Sequence, residues 1–159
     1  MTPGAVAMPR SRQLLCAAYA AIAVLALVGT WTQNVAYFRA GDGPITGFVL
    51  ATGRFWSATL ATPASISIAV DLALFFVAAA VLMVIEARRL AIRWVWLYIL
   101  FGFLVAISVT FPLFLIVRER RLVVVGEGSS DLGLSRTDLA ALVGLAGMTA
   151  AITVWTLGQ

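Results

Sequence analysis

The sequence predicts an all-α integral membrane bundle of four transmembrane helices, over about 14–33, 63–86, 94–120 and 138–157, and three observations carry that prediction. First, 62% of the 159 residues are hydrophobic and only 11% are charged, with a mean hydropathy of +1.03. Soluble domains run near one half apolar and one quarter charged. Second, the seven acidic and eleven basic residues gather in short clusters between long apolar runs. Third, those runs match the roughly 20 residues that an α-helix needs to cross a bilayer.

Met1 to Gln13 reads as a polar leader, flexible over residues 1–12, ahead of a single transmembrane helical domain, 13–159. Arg10 and Arg12 precede the apolar run Leu14 to Thr30, and Trp31 closes it as an interfacial aromatic anchor. The run is longer than the apolar stretch of a cleaved signal peptide and lacks a clear small-x-small cleavage site, so a retained anchor is expected. From Thr32 to Thr62 the chain is mixed in character and turns at Gly41-Asp42-Gly43-Pro44. Apolar positions after Pro44 recur at helical spacing, which suits either a short interfacial helix over about 45–60 or an ordered loop with aromatic anchors.

Pro63 suits the first turn of the second helix, which runs to Glu86 with one charge, Asp71, inside it. Glu86 to Arg93 then reads as a tight turn at the membrane surface. Trp94, Trp96 and Tyr98 open a third helix that continues past Val117, and Trp94 to Val117 measures about 36 Å at the standard rise, enough to cross with tilt. Gly126 to Asp131 is a flexible loop, after which Thr137 or Asp138 caps the fourth helix. Ala140, Gly144, Gly147 and Ala151 there form small-xxx-small pairs, which predict a packed span open to close helix approach.

All eleven basic residues are arginines placed beside apolar segments, where they suit anionic headgroups rather than nucleic acid. One cysteine, Cys16, excludes an intrachain disulfide, and the absence of histidine excludes His-based metal sites and general bases. No Walker loop, nucleophile elbow, HExxH or dinucleotide fingerprint occurs, and nothing names a cofactor. With a cytoplasmic N-terminus, the four-span arrangement places Arg10, Arg12, Arg88, Arg89 and Arg93 inside against Arg39, Arg54, Arg118, Arg120, Arg121 and Arg136 outside. That near balance does not orient the chain, although the leader arginines favour the N-terminus inside.

Two sets of residues invite a function. The four-span order brings Gln33 and Asn34, Asp71, and Ser108 and Thr110 to one side of the membrane, which predicts a polar intramembrane pocket around Asp71. A carboxylate about 12 Å along the helix from Pro63 is costly unless protonated, paired or hydrated. Pro112 assists such a site by leaving the Ser108 carbonyl without its helical donor. The plainer reading of Asp71 is a hydrogen-bonded clasp between helices. Arg88, Arg89, Arg93, Arg118, Arg120 and Arg121 are candidates for headgroup phosphates, although arginines at helix ends ordinarily snorkel to fix depth. Glu86 and Glu119 then pair with neighbouring arginines.

Trp31-Thr-Gln-Asn34, Asp71, Glu86 to Arg93 followed by Trp96, and Ser108 to Leu122 together resemble the small bacterial membrane proteins catalogued as domain of unknown function 2834. The resemblance runs from about Leu14 to Leu122, and Ala87 and Ala91 stand where members of that family often carry glycine. It implies a compact multi-helix protein of a bacterial inner membrane and transfers no catalytic residue. The function expected is a lipid-embedded binding or accessory subunit, meeting membrane lipid and either a protein partner or a second copy through helix four. Alternatives are a small enzyme or carrier for an apolar lipid or isoprenoid, with Asp71 as acid or base, and a proton or ion pathway.

Overall fold

The structure, a computed structural model, describes residues 7–39, 53–128 and 133–157, which form six helices and, among the described residues, no strand. They are α1 (Arg10–Arg39), α2 (53–59), α3 (Pro63–Arg89), α4 (Val95–Leu104), α5 (Ile107–Val124) and α6 (Arg136–Leu157). The start of the leader, the turn at 41–44, the first part of the expected helix at 45–60 and residues 129–131 of the last loop lie outside the described residues.

Local chemistry sets the ends of these helices. Pro63 opens α3 as expected, and Thr62 and Ser65 close a capping box in which each side-chain oxygen accepts from the other's backbone N–H at 3.1 Å. At α6 the cap is Ser135 rather than Thr137 or Asp138. Asp138 N–H donates to Ser135 Oγ at 3.1 Å, while Asp138 Oδ2 accepts from Ser135 N–H at 3.0 Å. Asp138 therefore completes the cap from the third helical position. Helix α5 stops at Gly126, whose φ of +81° carries the chain back so that Gly128 N–H donates to the Leu122 carbonyl at 2.9 Å.

Helices α1, α3 and α6 are long and apolar enough to cross a membrane. The expected third span does not form. Its residues divide into α4 and α5 at Val105 and Ala106, where Ala106 is fully extended at φ −178° and ψ 136°. The two arms then run antiparallel: Gly102 faces Thr110 and the Tyr98 ring meets the Phe114 ring edge-on at 5.8 Å. A β-branched cluster, Val105, Ile107, Val109 and Thr110, sits at the break, where such residues give helix little local support. Gly102 permits the close return, because a Cβ there would lie 2.8 Å from Thr110 Oγ1 and 3.1 Å from Ile107 Cδ1.

This hairpin organises the core. Met83 and Phe114 are fully buried, with Ala79, Ala87, Leu90, Val95, Ile107 and Leu122 around them, so α3, α4 and α5 share one apolar seam. Helix α1 packs along α5 in the opposite direction, with Arg12 beside Glu119 at one end and Ala23 buried further along. Beyond the hairpin tip, Trp56 of α2 stacks on Phe103 at 6.3 Å and Phe55 meets Tyr37 at 5.7 Å.

Helix α6 departs from the expected packed span. Ala140, Gly144, Gly147 and Ala151 are all exposed, and a Cβ on either glycine would meet nothing within 4 Å. Its approach to the bundle is at Thr153, whose Cγ2 lies 3.6 Å from where a Cβ would stand on Gly29 of α1.

Candidate functional site

Because the hairpin returns the chain to its starting side, the two arginine clusters that a crossing helix would separate meet at one end of the molecule. The turn that begins the hairpin, Leu90 to Trp94, is tight, and it holds Ala91 and Trp94 in the left-handed region at φ 51° and 66°. That turn sets α4 against α3, and α5 then delivers Arg118 back to Glu86.

The result is a continuous chain of ion pairs drawn from four stretches of sequence. Arg12 at the start of α1 donates to Glu119 Oε2. Arg118 donates to Glu119 Oε1 at 2.9 Å and to Glu86 Oε2 at 2.5 Å. Arg89 grips both oxygens of Glu86 at 2.9 Å and reaches Glu127 at 2.6 Å. The expectation that Glu86 and Glu119 pair with sequence neighbours holds for Arg89 and Arg118. The longer-range links to Arg12 and from Arg118 to Glu86 depend on the hairpin.

Three guanidinium groups and three carboxylates leave this chain neutral, which permits the burial of its inner members while Arg89 and Glu127 at one end stay exposed. Glu119 is 3% exposed, Arg12 7% and Glu86 9%. Arg88, Arg93, Arg120 and Arg121 are different: they are exposed and form no ion pair among the described residues. The six headgroup candidates thus divide into two that hold the fold and four whose charge faces outward.

The polar-pocket candidates are spread along the other half of the molecule. Asp71 is exposed on α3 and makes no hydrogen bond or ion pair among the described residues. Gln33 is exposed and Asn34 half-buried near the end of α1, while Ser108 is exposed beside the hairpin tip. Thr110 is buried against Gly102, and its hydroxyl has no hydrogen-bond partner among the described residues. A groove of about 540 Å³ between α4 and α5 takes in Thr110 and none of the other four.

Sequence reading singled out neither this groove nor the Arg12–Glu119 link, whose partners stand 107 positions apart. One signal was available. Opposite charges recur at both ends of the apolar stretch 94–117, which is what a returning hairpin would bring together.

A family model described as a protein of unknown function, DUF2834, matches residues 18–120. The match takes in most of α1 and continues to the charged end of α5, leaving α6 outside. No curated protein and no solved structure matches the chain.

Proposed function

The chain belongs to the DUF2834 family of proteins of unknown function, and from that membership and its architecture we propose a lipid-embedded accessory subunit that docks another membrane component through α3 and α6. In this reading α1, α3 and α6 cross the bilayer, and the α4–α5 hairpin enters and leaves on the side of the leader. Arg10, Arg12, Arg88, Arg89, Arg93, Arg118, Arg120, Arg121 and Arg136 then share one side, against Arg39 and Arg54 on the other. An excess of arginine that large assigns the charged side to the cytoplasm.

The observation that carries the docking role is Asp71. It lies exposed on an apolar span, about 12 Å in from Pro63, where hydrocarbon solvates a carboxylate poorly. A partner helix supplying hydrogen-bond donors would relieve that cost. The open small-residue face of α6 supports the same role, since close approach of a second helix needs such residues. An acid–base enzyme or a proton pathway would be favoured by a second titratable group paired with Asp71, and among the described residues Asp71 has no ion-pair or hydrogen-bond partner.

The test is the particle mass in native lipid nanodiscs. The full chain is expected in a stoichiometric assembly larger than the monomer, and Asp71→Leu is expected to release the monomer with its helix content unchanged. A lipid-surrounded monomer for the unaltered chain would overturn the proposal.

A further inference from the structure

On its outer side the hairpin does not close completely. The groove between its arms begins at Arg93 and Trp94, runs between Leu97 and Phe101 on α4 and Leu113 on α5, and ends at Thr110 near the tip. Its walls are apolar and its mouth is cationic. Arg89 and Arg118 are committed to glutamates, whereas Arg93 has no carboxylate partner among the described residues.

The length of the groove is informative. Helix α4 has ten residues and measures about 15 Å at the standard rise, half of the roughly 30 Å hydrocarbon thickness of a bilayer. With Arg93 at the headgroup level, the far end of the groove reaches the bilayer midplane, which is the depth of one acyl chain. Trp94 lies at the same end with its ring exposed, a placement favoured at the headgroup boundary.

We infer that this groove seats one acyl chain of an anionic glycerophospholipid whose phosphate is held by the Arg93 guanidinium. The inference rests on the membrane-embedded reading above and adds a ligand to it. The anionic preference follows from charge at Arg93: a headgroup that carries its own cation shares its phosphate with that cation, whereas an anionic headgroup leaves its full charge to the guanidinium, which has no carboxylate partner among the described residues. The turn at Ala91 and Trp94 keeps Arg93 at the groove and apart from the ion-pair chain.

The full chain, purified in mild detergent, is titrated with phosphatidylglycerol or phosphatidylcholine of identical acyl chains, and bound lipid is counted by native mass spectrometry. One phosphatidylglycerol is expected to be retained about tenfold more tightly than phosphatidylcholine, the ratio that one charge-assisted contact supplies. Arg93→Gln should remove that preference, Arg88→Gln should keep most of it, and Leu97→Trp, which fills the groove, should weaken both lipids. Arg93 and Leu97 are exposed, and unchanged thermal melting of the variants confirms that they fold. Equal retention of the two lipids, or a preference that survives Arg93→Gln, overturns the inference. Weaker binding on Thr110→Val also overturns it, because an acyl chain has nothing to offer that hydroxyl. A chain that needs detergent yet shows no lipid preference ends this inference alone, whereas one soluble without detergent ends the membrane reading as well.

Discussion

The end of the molecule that holds the arginines and the end that holds Asp71 are built on opposite terms. At the first, α3, α4 and α5 bury Met83 and Phe114 completely beside a neutral chain of six charged side chains, of which Arg12, Glu86 and Glu119 are buried. At the second, the first half of α3 stands exposed, including Ile68, Leu72 and Leu74, and α6 stands exposed along nearly its whole length from one end to the other, including Leu142, Val143 and Val154. The difference teaches that this protein's own packing is concentrated where its charges are. In the membrane-embedded reading proposed above, the barest helices are left to lipid or to another chain, since hydrocarbon is as good a neighbour for leucine as a protein core is.

The hardest blow to that contrast falls on Glu119. Glu119→Ala removes the carboxylate shared by Arg12 and Arg118 and leaves a buried guanidinium uncompensated, for a loss of about 3–5 kcal/mol in reversible unfolding from detergent. Next comes Gly102→Val, which forces the hairpin arms apart at Thr110 and Ile107 and costs about 1–3 kcal/mol in the same assay. Ala91→Gly acts in the other direction. Relief of the left-handed strain at φ 51° should stabilise the packed end by about 1 kcal/mol. Smallest is Gly147→Leu on the open face of α6, expected to shift stability by less than about 0.5 kcal/mol, with any effect appearing in the particle mass. A large loss of stability from that last substitution would erase the contrast between the two ends.

The sequence made the helical class legible because apolar runs bounded by Pro63, Glu86 and Arg136 have few other ways to satisfy their peptide groups. Hydrophobicity alone could not reveal the hairpin. Residues 94–117 have the same composition whether they traverse about 30 Å once or descend about 15 Å and return, and no glycine or proline marks Val105–Ala106. The arginine side of the candidate site was legible as residues but not as a network. Which guanidinium groups are committed depends on which helices turn back. The packing role expected of α6 rested on its small residues, and such residues permit a close neighbour without supplying one.

The ion-pair chain also has a consequence for how the protein is made. Arg12 leaves the ribosome 107 residues before Glu119, an interval of roughly 5–20 s at ordinary elongation rates. Glu86 and Arg89 can find each other within α3, but Arg12 has no carboxylate until α5 has been synthesised and folded back. Biogenesis therefore passes through a stage in which α1 is already made while its arginine waits without that partner. Docking of the last hairpin arm is the event that buries that charge.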